Sequence, residues 1–194
     1  MEGTPQKRYP NGVFDFRSLV SGKFYFVDKT IMIADICDAD NQTFLYTRPR
    51  RFGKSINLSM LDYYFNMEYK DDEDIFKGLK IDSCDKCRKY KNAFPVIRMN
   101  FGDLVSESKE RFWESLVFMI SNVMNSFDHL KDDDVLTENE RTFLKKGSSS
   151  SLNYAETQGA IGKLCEILFK KYCKKTIILV DEYDQCIQKI HSEH

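Results

Sequence analysis

The chain has 194 residues, 42% hydrophobic, 13% aromatic and 30% charged, a balance that supports a buried core and excludes a disordered chain. Twenty-nine basic against thirty acidic residues leave a net charge of −1, which argues against a protein built mainly to coat nucleic acid. This length suits one domain, or one domain with a small extension.

The opening "MEGTPQKRYPNG" is polar and lacks the apolar core of a secretion signal. No run approaches the ~18 apolar residues of a membrane span, so a cytoplasmic protein with no membrane partner is expected. The six cysteines (37, 84, 87, 165, 173 and 186) fit no short secreted framework and read as reduced thiols. Cys84 and Cys87 have metal-ligand spacing, but no second pair accompanies them. An ordinary cysteine-containing loop is therefore preferred to a zinc half-site.

In chain order, "GVFDFRSLVSGKFYFVDKT" is aromatic-rich and predicts a packed opening segment, although it could instead pack on an adenine ring. A helix follows from Asp28 or Lys29 to Asp38, with Asp28 a reasonable N-cap. "TFLYT" (43–47) reads as a short buried strand. Ile56, Met60, Leu61, Tyr64 and Phe65 recur at helical spacing, so a helix should run from Lys54 to about Asn66. The charged stretch from Glu68 to Asn92 has no strong period and predicts a surface excursion, its basic cluster at 86–91 a solvated loop.

"FPVIRMNF" is the second strand candidate, and Phe112, Leu116, Ile120, Val123 and Met124 mark one stripe of the next helix, with Trp113 expected in the core. The acid run Asp132–Asp134 is a solvent-facing turn. A short helix is bracketed by a capping box at Thr137 and Glu140 and a stop at Gly147. A further helix carries Ile161, Leu164, Cys165, Leu168 and Phe169, and "TIILV" is a fully apolar strand running into "DEYD". The order β-α-β-α-α-β predicts an α/β fold with a mainly parallel sheet covered by helices.

Two stretches carry chemistry. "TRPRRFGKS" ends like a phosphate-binding loop: Gly53 permits close backbone approach, Lys54 is a cation for the phosphates, and Ser55 offers a hydroxyl to Mg²⁺ at a helix start. Its opening departs from the usual glycine, because Arg48 stands there and Pro49 lacks an N–H. Arg48, Arg50 and Arg51 add three positive charges, and amides from Arg50 through Phe52 to Ser55 survive as donors. "IILVDEYD" places Asp181 and Glu182 at the C-terminal end of a strand, where ligands bind in parallel α/β sheets. Asp181 would hold the metal, and Glu182 would orient and deprotonate a water.

"FVDKT" (26–30), "FLYTRPRRFGKSINLSML" (44–61), "FPVIRMNF" (94–101) and "IILVDEYD" (177–184) together resemble the AAA-ATPase-like family, whose members resemble AAA+ and STAND-type P-loop ATPases. The resemblance implies a P-loop NTPase three-layer αβα fold, incomplete here at the C-terminus, with residues 1–40 an opening segment and 41–194 the nucleotide-binding core. It implies ATP and Mg²⁺ as cofactors, with binding through Arg48, Pro49, Arg50, Arg51, Phe52, Gly53, Lys54 and Ser55. It also implies metal at Ser55 and Asp181, and catalysis by Lys54 and Glu182. Asp28 and Lys29 match the family's N-terminal motif without an assigned role. Family members usually continue well past "DEYD", often to a restriction-endonuclease-like domain, so nucleic acid enters as a partner only by family analogy. The expected function is ATP binding, with Mg-dependent hydrolysis in the full-length form. The alternatives are a non-hydrolysing nucleotide-responsive module and a vestigial truncated fragment.

Overall fold

A computed structural model describes residues 8–22, 24–39, 43–47, 49, 52–105 and 107–185. The chain divides into two units, Met1–Phe94 and Pro95–His194, each of which is described by itself.

In the first unit, helix α1 (Phe16–Ser21) is capped by Asp15, whose carboxylate accepts from the Ser18 amide at 2.8 Å and the Ser18 hydroxyl at 2.9 Å. The same carboxylate accepts from the Ser59 hydroxyl at 3.0 Å, and that hydroxyl oxygen accepts from the Phe16 amide at 3.0 Å. Ser59 lies on helix α3 (Lys54–Phe65), so one acid clips α1 to α3. Phe16 and Leu19 are buried, and Phe16 stacks on Phe76. Phe14 and Tyr25 stay exposed, so the aromatic opening segment is only partly core.

Helix α2 (Ile31–Asp38) begins after Thr30 rather than at Asp28. Asp28 instead accepts from the Thr30 amide and hydroxyl at 2.9 and 2.7 Å, and from the Lys80 amide at 2.8 Å. The buried Thr30 hydroxyl oxygen accepts from the Ile81 amide at 3.1 Å. The acid expected to cap a helix therefore ties two distant loops together, because Thr30 already has helical dihedrals and occupies the cap position. Lys29, next to it, is exposed.

Three further expectations are corrected in this unit. Residues 43–47 form no strand and are exposed, and the Phe44 and Tyr46 rings stack on each other. The charged excursion is built from short 3₁₀ turns and buries Phe76, Ile81 and Cys87, so it contributes to a core. Within it Cys84 and Cys87 are joined as a disulfide, against the expectation of reduced thiols. Cys37, Cys165 and Cys173 are free, and Cys186 lies outside the described residues. The basic cluster is matched by acids: Lys86 pairs with Asp38, Arg88 with Asp85 and Lys91 with Asp74.

In the second unit, strands β1 (Val96–Asn100) and β2 (Ile177–Asp181) pair in parallel, with Val96 opposite Ile177 and Asn100 opposite Asp181. Between them run α4 (Lys109–Asn125), α5 (Glu138–Ser148) and α6 (Tyr154–Tyr172). Ile97, Ile120, Met124, Leu144, Leu164 and Ile167 form the centre of one apolar cluster. Thr137 and Glu140 make the expected capping box, and Asn153 and Glu156 make a second at the start of α6. The Lys170 ammonium, 2.7 Å from Glu140, holds that carboxyl down at about 2, with the Thr137 amide helping against partial burial. Trp113 is only half-buried and stacks on the exposed Tyr154, and Phe169 is exposed rather than on the buried stripe.

Gly147 does not stop its helix, which continues to Ser148. A Cβ there would lie 1.7 Å from the Met124 sulfur, so the glycine serves the close approach of α4 and α5. Gly147→Ala should destabilise this unit by about 1–3 kcal/mol through overpacking, read as a lower urea midpoint at unchanged slope. A midpoint equal to that of the unaltered chain would exclude this packing role.

The described residues thus combine helices with a small parallel sheet, as an α/β fold requires. No described helix is long and apolar enough to cross a membrane.

Candidate functional site

Helix α3 starts from Gly53, whose φ of 78° and ψ of 26° are left-handed and favour glycine. A Cβ on Gly53 would meet none of the described residues within 4 Å, so its backbone conformation rather than crowding is what favours glycine there. Gly53, the cap residue, has no side chain to cap this end. The first-turn N–H groups have no intrahelical partner, and the helix dipole adds positive potential there. Lys54 and Ser55 are the first two helical residues, both half-buried. No ion pair among the described residues engages Lys54. Phe52 is exposed, and its amide donates to the Pro49 carbonyl at 3.4 Å in a tight turn. Arg48, Arg50 and Arg51 fall outside the described residues.

The other half of α3 anchors it. Met60, Leu61, Tyr64 and Phe65 are buried, and burial pushes the Tyr64 hydroxyl up to about 12. Asp15 clips Ser59; burial alone would raise its carboxyl, but hydrogen bonds from Ser18, Ser59 and Tyr63 outweigh it and hold the group below the ordinary range. Asp28 behaves alike, burial being outweighed by bonds from Thr30 and Lys80. A polar cleft of about 330 Å³, lined by Arg17, Tyr63, Tyr69 and Asp72 among others, lies along the C-terminal half of this helix rather than beside Lys54. Its Arg17 is already paired with Asp72 and stacked on Tyr63.

In the second unit, β2 ends at Asp181, whose carboxylate accepts from the Glu182 amide at 3.0 Å. Glu182 has a φ of 51°, uncommon for a residue with a side chain, and costs of order 1 kcal/mol. The Glu182 carbonyl accepts from the Gln185 amide at 3.1 Å, closing the turn. The equivalent turn after β1 is the Phe101–Asp103 3₁₀ turn, where the Asn100 side chain accepts from the Gly102 amide at 3.0 Å. The Glu182 carboxylate comes against Gly102: a Cβ there would lie 2.6 Å from Oε2.

The structure thus groups Gly53, Lys54 and Ser55 at one helix start, and Asp181 and Glu182 with Asn100 and Gly102 at one sheet edge. The two groups belong to separate units. Asn100 and Gly102 went unnoticed in the sequence, since nothing in "MNFGD" says which carboxylate its turn will face. No group of three or more His, Cys, Asp or Glu able to hold a metal occurs among the described residues. Ser55 in the first unit and Asp181 in the second each offer an oxygen of the kind Mg²⁺ takes; that ion keeps waters and binds chiefly through phosphate oxygens rather than in all-protein cages. The uncapped amides beside a lysine likewise fit a polyphosphate.

The described residues thus hold an α/β arrangement: a small parallel sheet ending in two acids in one unit, and a glycine-started helix led by lysine and serine in the other. The chain belongs to the AAA-ATPase-like family: the family model, described as "Predicted AAA-ATPase", matches residues 10–194. It is also 27% identical over 184 residues to a protein of Azotobacter chroococcum mcd 1 described as "Uncharacterized protein in vnfD 5'region". That match covers 94% of this chain and 30% of the relative, so the chain spans under a third of the relative's length. No solved structure matches.

Proposed function

We propose that this chain is the nucleotide-binding part of an ATPase, a P-loop core of three-layer αβα type that binds ATP with Mg²⁺ and hydrolyses it in the full-length protein. The observation that carries the reading is the uncapped, glycine-started N-terminus of α3, with Lys54 and Ser55 as its first residues. The family gives the class of ligand, and this helix start gives a place suited to it.

ATP with Mg²⁺, when bound, supplies the electrophilic phosphorus and the cation that offsets its charge. The residues' own parts follow from their chemistry. The amides of Gly53 to Ser55, the charges of Arg48, Arg50 and Arg51, and the turn through Pro49 and Phe52 cradle phosphate oxygens. The Lys54 ammonium neutralises charge on the transferred group. The Ser55 hydroxyl of the first unit would offer Mg²⁺ an oxygen, and so would the Asp181 carboxylate of the second. Glu182, as general base, holds a water and takes its proton.

The test is titration calorimetry with ATP and Mg²⁺ beside a phosphate-release assay on the same chain. Heat accompanied by phosphate release supports the full reading. Heat without phosphate supports a nucleotide-responsive binding module, and no heat at millimolar ATP rejects both.

A further inference from the structure

We propose that Gly102 is a positioning residue for Glu182: its missing side chain is the room in which that carboxylate sits. This deepens the proposed function and rests on its assignment of Glu182 as the group that handles the attacking water.

Three observations converge on Gly102. The parallel register sets Asn100 opposite Asp181, so the first turn residues after the two strands emerge side by side. The turn after β1 is pinned, because the Asn100 side chain accepts from the Gly102 amide at 3.0 Å. A Cβ built on Gly102 would lie 2.6 Å from Glu182 Oε2, closer than atoms tolerate, and at the tight distances of 3.2 Å from its Cδ and 3.1 Å from Asn100 Oδ1.

Gly102 is not among the residues with positive φ, unlike Gly12, Gly53 and Gly78. Its backbone is open to any amino acid, so a demand for left-handed geometry does not explain the glycine. What excludes a side chain there is the Glu182 carboxylate. That carboxylate is the free end of a flexible side chain, whereas the turn carrying Gly102 is hydrogen-bonded in place. An added methyl is therefore relieved by movement of the carboxylate rather than of the fold. The backbone of Glu182 is already held in an uncommon conformation by its turn, which leaves the side-chain torsions to absorb the displacement.

The consequence is separable from stability. Gly102→Ala should fold with an unchanged thermal midpoint and bind MgATP as the unaltered chain does. Its saturated turnover should fall about ten- to a hundredfold, as a displacement of about 1 Å in a catalytic group produces. In a Glu182→Gln background the same substitution should change nothing further, because the group it displaces no longer acts. A merely structural glycine would slow both backgrounds alike.

The experiment measures phosphate release, MgATP affinity and the crystal structure for Gly102→Ala, Glu182→Gln and the double variant. A turnover loss confined to the Glu182 background, with the carboxylate displaced in the crystal, supports the proposal. Unchanged turnover in Gly102→Ala while Glu182→Gln is inactive overturns it and leaves the role of Glu182 standing. Intact turnover in Glu182→Gln instead overturns the role of Glu182 itself. Should the unaltered chain release no phosphate, the crystal structure alone decides, and an unmoved carboxylate in Gly102→Ala rejects the claim.

Discussion

Lys54→Ala should lose at least about a hundredfold in affinity for MgATP, or about 2.8 kcal/mol at 1.4 kcal/mol per tenfold. Two contributions make the effect this large. The ammonium is a charged donor to a polyanion, and such bonds are worth about 1.5–3 kcal/mol each. It also stands at the first position of α3, where the amides and dipole of the helix already concentrate positive potential, so its loss weakens the site at its most electropositive end. The helix itself should survive, because alanine favours helices and the burial that anchors α3 lies further along, at Met60, Leu61, Tyr64 and Phe65. Calorimetry should show the loss while circular dichroism stays unchanged. Retained affinity would remove Lys54 from the site.

Glu182→Gln should act in the opposite manner, leaving MgATP affinity within about threefold while turnover falls by about 10² to 10⁴, the range of a lost general base. The exchange keeps shape and removes only the ability to take a proton, so the turn and the Asp181 contact to the residue-182 amide persist. A fall in turnover at unchanged affinity is what an interaction used only in the transition state produces. Equal losses in binding and turnover would instead make Glu182 a ligand-binding group. Undiminished turnover would rule out its role as base.

Much of this arrangement was legible in the sequence where the signal was local. The run of Ile177 to Val180 followed by acids reads as a strand edge, and β2 is there. The Thr137 and Glu140 spacing reads as a capping box, and the structure has it. Signals that depend on a distant partner were not legible. Asp28 looks like a cap because the sequence shows Thr30 and Ile31 beside it, but not Lys80, whose amide it also receives. Gly147 looks like a stop because glycine often ends helices, and only the approach of Met124 reveals its packing role. "TFLYT" has the composition of a strand, yet residues 43–47 are exposed and form none, because composition alone does not decide burial. The candidate site divides likewise: the Gly53–Ser55 helix start and the acids could be read in advance, whereas the room that Gly102 leaves for Glu182 is a cross-strand fact.

The stack of Trp113 on Tyr154 has an optical consequence. Trp113 is the chain's single tryptophan, and both rings belong to the second unit. Indole emission is thus a built-in reporter placed within residues 95–194, whereas far-ultraviolet dichroism sums the helices of both units. Comparing the two signals through one denaturation distinguishes a single cooperative transition from two, without a label and without altering a residue.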